Sequence, residues 1–235
     1  MIGPIVGATT PLKLQDVLIG GDLATWGANK ALDYILGEVA AGELSMAPLD
    51  VRTQALGKVQ EARDIGTMVH DEVAALLKGE ERPPADPRVA PYLWSWTKFL
   101  NERRPIFMEV EQRIVHPRYL YAGTFDFLAR IDGRVALADI KTGASRRSHV
   151  LQLAAYSMGR MSEQIVMDQW HRYAVPEDAT YRPMPRIRDY YMLYLKPTGY
   201  ELAPLEVTAA DRRHYLALVR AYHRIRAWEN GVNHD

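Results

Sequence analysis

The chain has 235 residues, of which 48% are hydrophobic and 25% charged, the balance of a folded protein and not of a disordered one. Its 29 Lys+Arg and 29 Asp+Glu cancel to a formal net charge of zero, which excludes nucleic-acid binding by bulk charge but not by a local basic groove. It contains no Cys, which excludes disulfides, thiolate zinc sites, Cys nucleophiles and Cys-ligated iron–sulfur clusters.

No run reaches the ~18 consecutive apolar residues of a membrane span, and the N-terminus lacks a basic stretch followed by an apolar one. A cytoplasmic protein without membrane contact is the expectation. At about 150 residues per domain, the chain is expected to form a single domain over 1–235. Its 1–105 part is mainly helical, and 106–235 holds the sheet and a C-terminal helix. In chain order, residues 14–40 read as helical, interrupted at Gly20-Gly21. Residues 50–78 carry Val59, Ala62, Val69, Val73 and Leu77 at helical spacing, and Gly79 stands where a C-terminal cap belongs. The proline-rich 80–91 is a loop, and Tyr92, Trp94, Trp96, Phe99 and Leu100 mark a helix over 91–103. Residues 106–115 and 119–141 have strand composition, 148–163 return to helix, and 164–188 are mixed. Two strands, 189–196 and 200–207, flank Pro197-Thr198-Gly199. A last helix starts at Thr208, where Thr208 and Asp211 match a capping box. The fold class expected is mixed α/β, with a central mixed sheet of about five strands flanked by helices.

Asp132-Gly133 is a strong two-residue hairpin signal, because a type I′ turn needs positive φ at both central positions. If those two residues form the loop, Ile131 faces Arg134 and Asp126 falls directly opposite Asp139. Lys141 lies two residues past Asp139 and shares its face. Leu128, Val135 and Leu137 share that face as well, so it is expected to be partly buried. Apposed carboxylates repel unless compensated. Lys141 can neutralise one, and a divalent cation such as Mg²⁺ would neutralise both.

These residues resemble the PD-(D/E)XK nuclease superfamily, in the form of its RecB-like exonuclease group, which includes phage and CRISPR-associated exonucleases. The resemblance rests on Ala122-Gly123-Thr124-Phe125-Asp126, on Ala138-Asp139-Ile140-Lys141-Thr142-Gly143, on the Gln152…Tyr156 helix and on an upstream Gly66…His70 element. They occur in the group's order over about residues 60–160. The resemblance implies a restriction-endonuclease-like core and Mg²⁺- or Mn²⁺-dependent hydrolysis of DNA. His70, Asp126, Asp139 and the Ile140 carbonyl would hold the metal, and Lys141 would orient or help deprotonate the attacking water. Gln152 and Tyr156, one turn apart on a helix, would line the site and contact DNA or orient Lys141. An acidic residue on the preceding strand often joins the site. Glu109 and Glu111 are both candidates on one strand face, and Glu111 is favoured by its distance to the Asp126 element. The four cysteines that hold an iron–sulfur cluster in many RecB-like members are missing.

A nuclease of zero net charge must concentrate its cations. Arg146 and Arg147, next to the Lys141 strand, are the first candidates for DNA contact, followed by Arg182, Arg186 and Arg188 and by the arginines of the last helix. Lys141-Thr142-Gly143 with Ser95-Trp96-Thr97-Lys98 also matches two penicillin-recognising motifs, but the third is missing and the spacing is too short. No phosphate loop or His-Glu-x-x-His motif occurs. The expected function is a DNA exonuclease of phage type acting in repair or recombination, with DNA as partner. A helicase or a recombinase or annealing protein would supply any unwinding. The alternatives are a non-catalytic DNA-binding protein of the same fold and a structure-selective endonuclease.

Overall fold

A computed structural model of the chain describes residues 5–12, 48–82, 86–144, 148–167 and 173–229. The elements are β1 (Val6–Gly7), α1 (Pro48–Lys78), α2 (Ala90–Arg103), β2 (Ile106–His116), β3 (Tyr121–Ile131) and β4 (Arg134–Lys141). They continue with α3 (Ser148–Met158), β5 (Arg160–Met161), β6 (Val166–Met167), β7 (Tyr173–Ala174) and β8 (Arg182–Pro183). Then come β9 (Asp189–Lys196), β10 (Gly199–Leu205) and α4 (Ala209–Glu229). The helix expected over 14–40 lies outside the described residues, as do Arg146 and Arg147.

Local chemistry accounts for several of these boundaries. Asp132 and Gly133 adopt φ of 51° and 78°, the two positive values a type I′ hairpin requires. The ladder then runs in the expected register from Ile131↔Arg134 to Phe127↔Ala138. At the start of α4, Thr208 Oγ1 accepts the Asp211 N–H at 3.1 Å while Asp211 Oδ2 accepts the Thr208 N–H at 2.8 Å. That reciprocal pair is a capping box with Asp in the Glu position. The helix expected over 148–163 stops at Met158; the Gly159 N–H closes a turn on the Tyr156 carbonyl at 3.1 Å, and Gly159 packs on Ile114 where a Cβ would lie 2.7 Å from its Cδ1. The chain instead turns into β5, which pairs with β2.

The long strands β10-β9-β4-β3-β2 form the middle of an eight-stranded mixed sheet, extended by β5 and β8 and joined by β1 alongside β3. The sheet thus contains the five strands expected and three short ones that were not. β9 runs parallel to β4, from Ala136↔Asp189 to Lys141↔Tyr194. One face packs on α3 and α4 through Tyr121, Leu128, Leu137, Leu153, Tyr215 and Val219. The other packs on α1 and α2 through Val69, Val73, Trp96, Phe99, Phe127 and Ile140. The architecture is therefore a mixed sheet between two helical layers. Among the described residues, no helix is long and apolar enough to cross a membrane.

The alternation of faces along β3 slips at one place. Phe125 and Leu128 both enter the α3–α4 core, whereas Phe127 and Ala129 enter the other. The slip is centred on Asp126. On β2, Glu111 stands across from it, between the paired Val110↔Phe127 and Gln112↔Phe125, with φ at 49°. Left-handed backbone at a non-glycine residue inside a strand costs of order 1 kcal/mol or more and clusters at functional sites.

Candidate metal centre

Asp126 and Asp139 come together where β3 and β4 part. The ladder ends at Phe127↔Ala138. The opposition of Asp126 and Asp139 expected from the hairpin is replaced by a side-chain bond, in which Asp126 Oδ2 accepts the backbone N–H of Ile140. Asp126 thus does the work of a backbone carbonyl and holds the strands as a fork. Both carboxylates are deeply buried, Asp139 being 1% and Asp126 9% exposed. Lys141 Nζ donates to Asp139 Oδ2.

Two helices close the fork. From α1, His70 Nδ1 lies 3.4 Å from Asp126 Oδ2. One turn earlier, Gly66 lets Thr142 approach, since a Cβ there would lie 3.0 Å from Thr142 Oγ1. From α3, Gln152 Nε2 donates to Asp139 Oδ1 at 3.0 Å and to the Tyr156 hydroxyl at 2.9 Å. Gln152 and Tyr156 are 7% and 4% exposed. They line the site as expected and brace Asp139, the carboxylate that holds Lys141, from inside the protein. Gly123 makes room for the brace, because a Cβ there would meet Tyr156 Cε1 at 2.9 Å and Ala8 Cβ at 2.8 Å.

Glu109 and Glu111 part company. Glu109 turns away and pairs with Arg182 at 2.7 Å, so it is not a site residue, and Arg182 is not a free cation for DNA. The left-handed backbone of Glu111 breaks the shared face and brings its carboxyl into the field of Asp126.

The electrostatics are those of a site with more buried negative charge than it can hold. Burial and the charge of Asp126 push the Asp139 carboxyl up to about 6, against the opposing pull of Lys141. Burial, then Asp126, pushes Glu111 up to about 7. Burial alone would lower His70, but the charge and hydrogen bond of Asp126 outweigh it and raise the imidazole to about 9. Burial would likewise raise Asp126, but His70 and Lys141 hold it below the usual carboxylate range. Lys141 is kept protonated because Asp139 and Asp126 outweigh its own desolvation.

Protons on His70 and Lys141 therefore stand where a cation would neutralise the same oxygens. Among the described residues, no group of three or more His, Asp or Glu side chains is placed so that it could hold a metal ion as it stands. The donor types are still those a hard divalent cation takes: carboxylate oxygens, an imidazole and a backbone carbonyl. The residues that could hold it are His70, Asp126, Asp139, the Ile140 carbonyl and Glu111.

Sequence reasoning missed Tyr194. It stands beside Lys141 in the β4–β9 register, and its hydroxyl lies 3.0 Å from His149 Nδ1 on α3. Only the parallel docking of β9 against β4 brings it there, and nothing local in the sequence signals that pairing. No protein-family model matches the chain, and no curated protein matches it in sequence.

Proposed function

We propose that this chain is a Mg²⁺- or Mn²⁺-dependent deoxyribonuclease that hydrolyses phosphodiester bonds in DNA, of the exonuclease kind that serves repair and recombination. The reading is carried by the fork, in which two buried carboxylates share one notch with Lys141 and His70, and a third carboxyl, Glu111, is pushed up beside them. A structural ion pair does not need a second buried carboxylate, and burying one is costly.

His70, Asp126, Asp139, the Ile140 carbonyl and Glu111 would hold the cation. Bound there, it supplies Lewis acidity and the positive charge that offsets the pentavalent transition state. Lys141 keeps its proton and donates hydrogen bonds, so it aims the attacking water at phosphorus. Gln152 fixes the plane of Asp139, and Tyr156 fixes Gln152. The water oxygen bonds to phosphorus as the bond to the ester oxygen breaks; the water gives one proton to solvent and the departing ester oxygen takes one from it, with no covalent enzyme intermediate.

The test uses end-labelled linear DNA and closed circular DNA, single- and double-stranded, with Mg²⁺, Mn²⁺ or EDTA. Cleavage with either metal and none in EDTA is expected. Shortening of linear but not circular DNA identifies an exonuclease, and nicking of circles identifies an endonuclease. No cleavage of any substrate in either metal would overturn the proposal.

A further inference from the structure

Away from the fork, at the far end of β3, cations gather. Between Asp211 and Glu229 the sequence of α4 holds five Arg, two His and no acidic residue. Asp211 itself is taken up in capping Thr208. The β2–β3 turn, residues 117–120, packs against this helix and adds Arg118, and Arg160 follows α3 nearby. Several arginines elsewhere are neutralised: Arg103 meets Asp132, Arg134 meets Asp189, and Arg182 meets Glu109 and Glu163. Arg118, Arg160, Arg220 and Arg224 are all exposed, and none reaches a carboxylate among the described residues.

The cluster is organised around one ring. The guanidinium of Arg220 lies 5.1 Å from the Tyr119 centroid and that of Arg118 lies 5.7 Å from it. Arg220 also donates to the Tyr119 hydroxyl at 2.9 Å. His223 Nε2 meets the Tyr119 carbonyl at 3.1 Å, and the His116 ring packs edge-on at 4.8 Å. Arg224 continues the face one turn past Arg220. Burial lowers the His116 imidazole, and Arg160 and Arg118 lower it further, as a local positive field does.

We infer that the β2–β3 turn and the exposed face of α4 form a docking surface for the phosphate backbone of nucleic acid, with Arg118, Arg160, Arg220 and Arg224 as its phosphate contacts. The choice of nucleic acid rests on the nuclease reading above and on the chemistry of the patch. Guanidiniums fixed on an aromatic ring match phosphates and sugars. A membrane surface would ask for several large apolar anchors beside the cations, and among the residues of these two elements whose burial is described, Ile225 is the one exposed large hydrophobic. From Tyr121 to Asp126, β3 runs about 17 Å at ~3.3 Å per residue, about five base pairs of duplex. One bound DNA can therefore reach both places.

The test is DNA binding in EDTA, read by fluorescence anisotropy of a labelled oligonucleotide across a salt series. Arg118→Gln with Arg220→Gln is expected to weaken binding about tenfold at low salt and to flatten the log Kd against log salt slope by about 2, equally for unrelated sequences. Arg160→Gln with Arg224→Gln, which removes no internal hydrogen bond, is expected to flatten it similarly. On a cleaved substrate these variants raise KM and leave kcat unchanged. An unchanged slope in both double variants would overturn the surface and leave the nuclease reading intact. So would binding to phosphatidylserine vesicles that the variants abolish while DNA affinity stays at the wild-type value. A wild type that binds DNA with the expected slope but cleaves none in Mn²⁺ would overturn the nuclease reading and support the surface.

Discussion

Lys141 is bound to Asp139 in the fork, and its proposed role is at the attacking water and not in holding the DNA backbone. Lys141→Ala is therefore expected to abolish cleavage while DNA affinity in EDTA stays near wild type. Retention of more than about a tenth of the activity, a loss under ~1.4 kcal/mol of transition-state stabilisation, would count against a role at the water. At this scale the sequence was informative where chemistry repeats at short range. Asp139 and Lys141 two apart on a strand, Gln152 and Tyr156 four apart on a helix, and Gly66 and His70 four apart on another could each be read from spacing. Spacing favoured Glu111 over Glu109, but what parts their side chains in the fold is one left-handed residue that the sequence does not signal. The Glu109–Arg182 pair joins residues far apart in the chain, with no local trace in either segment.

Among the elements, the β3–β4 hairpin and the α4 capping box were legible because each is specified by two to four adjacent residues. The two-residue strands β1, β5, β6, β7 and β8 were not, since two residues carry no period. The irregularity of β2, with a register shift between Phe107 and Glu109, was hidden behind a sequence that alternates like a regular strand. The close packing of β1, β3 and α3 makes a sharp prediction. At Gly123 an added methyl would meet Ala8 and Tyr156 inside contact distance. Gly123→Ala is expected to cost about 1–3 kcal/mol in a urea melt. It should also lower kcat by displacing Tyr156 and, through Gln152, Asp139. A variant with wild-type stability and wild-type kcat would show that the brace tolerates displacement.

For the molecule as a whole, the site makes stability depend on pH and, on the proposed reading, on divalent cations. Asp139 at about 6, Glu111 at about 7 and His70 at about 9 all lie above their ordinary values. Over the window from about pH 4 to 9, each binds more protons in the folded state than in the unfolded one. Stability must then fall as pH rises. Asp139 and Glu111 lose it first, as they ionise in a buried place. His70 follows, as its bond to Asp126 loses its charge above its ordinary 6.5 and up to about 9. The depressed Asp126 works the other way at the acid end, and the depressed His116 works the other way below its ordinary 6.5, against the three raised groups. The melting temperature in EDTA is expected to decline from about pH 5 to 9. Added Mn²⁺ should raise it and flatten the decline, since the cation takes over from the protons by mass action. A melting temperature that climbs through this window would contradict the electrostatics of the fork.

The Ile140–Asp126 bond has a consequence for hydrogen exchange. Most amides of a central strand are locked by carbonyls whose charge never changes. The Ile140 amide is locked by a carboxylate that also faces His70 and any cation in the notch. Whatever competes for that oxygen loosens one interior backbone proton while its ladder neighbours stay protected. Ile140 is thus a native reporter of occupancy, built into the sheet where β3 and β4 separate.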